Sequence, residues 1–257
     1  MTRFSHGNGR TLAIDGADIY CEITGNEQGR PLVLLHGGMG NIEDFNPFVA
    51  GLGAFRLIGI DSRGHGASTL GKAPLTYARL EQDLVAVLDH LSLTRTAVLG
   101  FSDGGIVAYR LAIHQPLRVE RLITIGAPNN RSEDTVPILE RVTAESWNEK
   151  FPETKPLYRR LNPQPDFEAF VAASKKLWLD ESPAGYPGMA VKGIRCPTLI
   201  VRGDEDHLFS LAEAVELRTL IADSQLLHLP KAGHTAFDDS REMCLLGVKQ
   251  FLGTSAA

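Results

Sequence analysis

The residue types that could do chemistry sit at a few glycine-bracketed positions. The first is Gly100-Phe101-Ser102-Asp103-Gly104, which follows an apolar run over 96–99 (TAVL) and opens a helical pattern over 103–115 that Pro116 halts. A serine held at a sharp strand-to-helix turn needs neighbours without a Cβ, because adjacent backbone must pack close. In return its hydroxyl stands at a helix N-terminus, where backbone N–H groups favour developing negative charge. Ser102 is therefore the candidate nucleophile, and the implied chemistry is attack on a carbonyl carbon.

A second glycine cluster, His36-Gly37-Gly38-Met39-Gly40, follows the run 31–35 (PLVLL). It lets a loop pass beneath the nucleophile, so that the N–H of Gly38, together with that of Asp103, forms an oxyanion hole. His36 is expected to support that loop rather than act as a base. A serine hydroxyl attacks only when a neighbour takes its proton, and histidine suits that task near neutral pH. Of eight histidines, His234 in Lys231-Ala232-Gly233-His234 is the best placed, in a loop between the last strand and the last helix. His207 abuts an acidic cluster and His228 lies inside a strand pattern. The acid that orients the base should fall between nucleophile and base in the chain. Arg202-Gly203-Asp204-Glu205-Asp206-His207 supplies it after the run 197–201 (PTLIV). Asp206, beyond the turn, is the expected acid, Asp204 the runner-up as a turn-former, and Glu205 a solvated charge.

These positions need a scaffold, and the sequence supplies an alternating one. Short, near-continuously apolar runs at 31–35, 56–60, 96–99, 121–125, 197–201 and 225–229 have the pattern of buried parallel strands. Between them, residues 76–91 place Tyr77, Leu80, Leu84, Leu88 and Leu91 on one helical face, with Thr76 as N-cap. Segments 11–14 and 17–23 form an entry hairpin across Asp15-Gly16, and an amphipathic pattern over 237–252 ends the chain. From Pro128 to Lys192 the alternation stops, prolines accumulate, and both tryptophans occur. The fold class is thus α/β: a mostly parallel sheet with helices on both faces. Residues 1–127 and 193–257 form the core domain, and 128–192 a helical cap over the carboxyl ends of the strands. Met39, Trp147, Phe151, Tyr158, Phe170 and Trp178 are expected pocket walls, although packing of the cap on itself would use the same aromatics.

The 257 residues carry a net charge of −5, with 43% hydrophobic and 22% charged residues. That is ordinary for a packed domain and offers no basic footprint, so nucleic acid and anionic membrane are not expected partners. Cys21, Cys196 and Cys244 form no paired motif and are expected to be buried thiols. The N-terminus has no apolar h-region, and the expected location is cytoplasmic. Acyl transfer by a serine requires no metal or organic cofactor, and none is expected.

With these parts assembled, the sequence resembles the α/β-hydrolase superfamily along nearly its whole length. Asp61-Ser62-Arg63-Gly64-His65-Gly66-Ala67-Ser68 is similar to the D-x-R-G-x-G-x-S loop of its esterase-like members, where that loop is chiefly structural. The resemblance implies a catalytic role for Asp206 and His234 and none for His65. The stretch Gly100 to Gly105 is similar to that of the valacyclovir hydrolase (biphenyl hydrolase-like) branch. This implies that Asp103 recognises a substrate α-amino group, the alternative being a first-turn helix residue. The lead-in His36-Gly37-Gly38 departs from that branch. The expected activity is hydrolysis of a small carboxylic ester through an acyl-enzyme. Cleavage of a C–C, lactone or amide bond by the same groups, or a non-catalytic binding pocket on this fold, are the alternatives.

Overall fold

The computed structural model describes residues 2–253. Eight strands carry the fold: β1 Arg10–Ile14, β2 Ala17–Gly25, β3 Pro31–Leu35, β4 Arg56–Ile60, β5 Thr96–Phe101, β6 Val119–Ile125, β7 Thr198–Gly203 and β8 Ser224–Leu229. The helices are α1 Asn46–Val49, α2 Tyr77–His90, α3 Asp103–His114, α4 Val136–Glu140, α5 Ala144–Lys150, α6 Thr154–Leu161, α7 Phe167–Trp178, α8 Leu211–Leu220, α9 Ala236–Asp239 and α10 Arg241–Leu252. The strands form one sheet in the order β1-β2-β4-β3-β5-β6-β7-β8. The first two pairings are antiparallel and every later one is parallel, as buried apolar strands joined by helical crossovers require.

Alternation along the strands divides the core. Leu32 and Leu34 enter one apolar cluster, with Phe45, Phe48 and Phe237, while Val33 and Leu35 enter the other, with Tyr77, Leu84 and Tyr109. The sheet is covered on both faces. All of α4–α7 lies between β6 and β7, the stretch where the strand rhythm of the sequence breaks.

The structure adjusts three of the sequence readings. β5 runs two residues past the apolar run, because Gly100 and Phe101 still pair with Thr124 and Ile125, and so delivers Ser102 directly off the sheet. β2 continues to Gly25 because it also pairs with β4. The single helix expected over 237–252 is two, α9 and α10, broken at Ser240 (φ −122°, ψ 51°). At the break Asp239 Oδ2 accepts the Gly233 N–H at 2.9 Å and the Ser240 hydroxyl donates to the Pro230 carbonyl at 3.3 Å, so this turn fastens the loop carrying His234.

Candidate active site

Ser102 stands between β5 and α3 with φ 49° and ψ −118°, a conformation an L-residue adopts only when its surroundings impose it. The Ser102 N–H donates to Ile125 O at 2.8 Å, and the carbonyl accepts from Gly105 and Ile106. A side chain at Gly104 would collide with the Leu35 carbonyl, which is why the second residue of α3 is glycine.

The three residues singled out from the sequence converge. Ser102 Oγ lies 3.0 Å from His234 Nε2, and His234 Nδ1 lies 3.0 Å from both carboxylate oxygens of Asp206. The Asp206 carboxylate is wholly buried and the imidazole largely so. Its Oδ1 also accepts the N–H groups of Leu208 and Phe209, at 2.9 and 3.1 Å. Burial pushes this carboxyl up, but the His234 hydrogen bond and charge, with the two backbone donors, outweigh it and hold Asp206 below the usual range. The passed-over neighbours behave differently: Asp204 and Glu205 are exposed, Asp204 pairs with His228 at 3.0 Å, and His207 is exposed.

Gly38 lies against the elbow, where a Cβ would come 2.6 Å from Asp103 Oδ2 and 2.8 Å from the Trp178 ring. Among the described residues no acceptor takes the N–H of Gly38 or of Asp103. Two unused donors beside the hydroxyl can stabilise an oxyanion. His36 is a strut, as expected: its Nε2 accepts the Ser62 N–H at 3.0 Å and its Nδ1 faces the Gly37 carbonyl at 2.7 Å. His65 turns its Nδ1 to the Arg63 carbonyl at 3.0 Å, and burial pushes the ring down to about 3.

Asp103 is buried within the same site. Tyr77 donates its hydroxyl to Oδ1 and Trp178 its Nε1–H to Oδ2, both at 2.8 Å. Burial dominates over these neutral donors and raises the carboxyl above its ordinary value. Asp103, Ser102, His234, Trp147 and Trp178 line a cavity of about 140 Å³. Met39 and Phe151 do not reach it; with Tyr158 and Phe170 they line a second cavity of about 310 Å³ that shares Gly38, Phe101 and Trp147 with the first. The aromatic residues of the segment 128–192 are thus divided between two compartments, with Trp147 in the wall of both.

Several site residues escaped the sequence reading. Tyr77 looked like one more apolar position on α2, and Tyr186 carried no motif, yet it lines the smaller cavity. Phe101, in the motif's variable position, packs its ring 5.1 Å from His234. Arg202 wraps the acid loop, donating to the carbonyls of Asp204, Asp206 and Phe209. A charge closing an otherwise apolar strand was the one signal that pointed to it.

Comparison with known proteins gives the family. Residues 30–184, more than half of the chain, match the family model described as "alpha/beta hydrolase fold". The chain belongs to the α/β-hydrolase family and is a hydrolase. It is 29% identical over 245 residues to the AB hydrolase superfamily protein YisY of Bacillus subtilis, covering 87% of this chain and 91% of that one. It is 27% identical over 237 residues to the human serine hydrolase BPHL, covering 87% and 79%. Among solved structures, a hydrolase from Pseudomonas aeruginosa superposes with a TM-score of 0.77 at 25% identity, over 96% of this chain and 99% of that one. Among the described residues no helix is long and apolar enough to cross a membrane.

Proposed function

We propose that this hydrolase cleaves small carboxylic esters through an acyl-enzyme on Ser102, with α-amino acid esters as the favoured class. The observation that carries the reading is the unbroken chain of 3.0 Å contacts from Ser102 Oγ through the imidazole to the buried Asp206 carboxylate. His234 Nε2 takes the hydroxyl proton as Oγ attacks the ester carbonyl, and the N–H groups of Gly38 and Asp103 receive the oxyanion. Asp206 fixes the tautomer by accepting from Nδ1 and stabilises the imidazolium. The C–O bond of the tetrahedral intermediate breaks, and Nε2 returns the proton to the departing alkoxide. Water then repeats the sequence on the acyl-enzyme and releases the carboxylic acid. Protein groups and water complete the cycle.

The preference for an α-amino group rests on Asp103. Its carboxylate faces the smaller cavity beside Ser102, and each oxygen accepts one hydrogen bond from a neutral donor, leaving lone pairs for an ammonium. An incoming cation relieves the cost of burying that carboxylate. The segment 128–192 is the cap that closes both compartments, and the larger one, with Met39 and Phe151, holds the alcohol half of the ester.

The test is turnover of a pair of esters that differ only in the amino group, free in one and acetylated in the other. The reading expects kcat/KM to favour the free amine by roughly tenfold or more. Equal values would remove the amino-group assignment. Rates for both no faster than buffer would remove the ester assignment itself.

A further inference from the structure

A cluster of ionisable groups lies outside the site, on the far end of the loop that carries Gly38. His6 places Nδ1 2.7 Å from Glu43 Oε1 and Nε2 2.7 Å from Asp61 Oδ2. Asp61 is fully buried, and its oxygens also accept the N–H groups of Ile42 (2.9 Å) and Ala67 (2.8 Å). Ile42 and Glu43 begin the turn directly after the glycine loop. The loop's other end is held by the same segment, since Ser62 donates its N–H to His36. Residues 36–42 are thus fastened at both ends to residues 61 and 62, with Met39 between them at φ 62°, a left-handed conformation that a side chain disfavours. Anchoring at both ends is what keeps such a residue in place.

Both ring nitrogens of His6 face carboxylate oxygens, and an ionised carboxylate only accepts. Two contacts as short as these need a proton on each nitrogen, so the ring is an imidazolium. The charges that favour this are Glu43, from the turn after the loop, and Asp61, directly after β4, while Glu22 of β2 is taken by Ser5 and Tyr20. Tyr20 stacks on the ring with centroids 5.3 Å apart and donates its hydroxyl to Glu22 rather than to His6.

We propose that His6 is a positioning residue for the oxyanion loop: as an imidazolium it clamps Glu43 and Asp61, and so holds the Gly38 N–H where the carbonyl oxygen develops charge. The assignment rests on the hydrolytic reading above. Burial of the ring opposes its charge, but the hydrogen bonds and charges of Asp61 and Glu43 win and raise it to about 9. As pH rises through that value the ring loses a proton and one carboxylate loses its donor. Asp61 is then left buried without a counter-charge. The sign is that of a raised histidine: the clamp is complete at neutral pH and lost on the alkaline side.

The experiment follows kcat and KM for ester hydrolysis from about pH 6 to about pH 10.5 in the wild type and in His6→Gln, whose amide is always neutral. The wild type should lose kcat roughly tenfold through the alkaline limb with little change in KM, because the hole acts on the transition state. His6→Gln should show the reduced kcat already at neutral pH and lack the limb, and adding Glu43→Gln should recover part of the loss. Wild-type kcat at neutral pH with an unchanged limb in His6→Gln would overturn the proposal. Should His6→Gln not fold, Glu43→Gln alone should move the limb to lower pH, and an unmoved limb is equally fatal. The NMR titration of the His6 ring is independent of turnover: a midpoint in the ordinary histidine range contradicts the clamp. Absence of ester turnover by the wild type at neutral pH instead overturns the hydrolytic reading, and the titration still decides the clamp.

Discussion

Asp103 and Asp206 are both buried carboxylates beside one serine, and the protein moves them in opposite directions. Burial is the largest influence on each. Around Asp206 it is overcome by an imidazole and two backbone N–H groups, so the carboxylate stays ionised and can orient His234. Around Asp103 the donors are a phenol and an indole, which are neutral and do not offset the lost hydration. Asp206 thus has three donors, one of them a ring that can carry charge, against two neutral donors for Asp103, and only the first set outweighs burial. One aspartate is satisfied by the protein itself. The other is left with a deficit that a cationic ligand would fill.

The largest effect should come from Asp206→Asn. With the imidazole in the wrong tautomer, kcat should fall by about ten-thousandfold while the fold survives. A loss under about tenfold would mean that Asp206 does not orient the base. Next is Asp103→Asn, which should lower the preference for a free-amine ester over its acetylated form by roughly ten- to a hundredfold. Retention of the preference would return Asp103 to a plain helix-start residue. The wild-type preference should also fade on acidification, at a pH above the ordinary aspartate value, because Asp103 is raised. Trp178→Phe removes one donor and should shift that fading to still higher pH, with a few-fold effect on the preference at mid-range pH. An unshifted profile would show that the indole hydrogen bond is energetically silent.

The smallest effect is on stability. Asp206, being lowered, stabilises the fold above its unfolded pKa, and that contribution disappears as pH falls through the folded value. Asp103, being raised, has the opposite slope: its cost grows as pH rises from the unfolded toward the folded value. Thermal unfolding of the two Asn variants across acid pH should therefore diverge from the wild type in opposite senses. Parallel curves would contradict the comparison.

The sequence carried the candidate triad better than the pocket. Ser102, Asp206 and His234 each follow a strand, and parallel strands end on one rim, so three local motifs fixed a three-way contact across 132 residues of chain. The break at Ser240 was hidden because Arg241 to Leu252 continues the amphipathic pattern, while the contacts made at the break, from Gly233 to Asp239 and from Ser240 to Pro230, reach outside it. The segment 128–192 was legible as an interruption but not as a surface. Whether Trp147 faces Ser102, or Phe151 the neighbouring compartment, depends on how four short helices pack, and no periodicity in so short an element encodes that. Tyr77 and His6 were silent for another reason: their partners, Asp103 and Asp61, lie 26 and 55 residues away and belong to motifs with their own meaning.

Covalent labelling reads the activation of Ser102 as a nucleophile most directly. Wild-type protein treated with a fluorophosphonate should gain one adduct by intact mass, and peptide mapping should place it on Ser102. Ser102→Ala should take up none while retaining its thermal transition. An adduct that persists in Ser102→Ala, or a wild-type protein that stays unlabelled, would contradict the account.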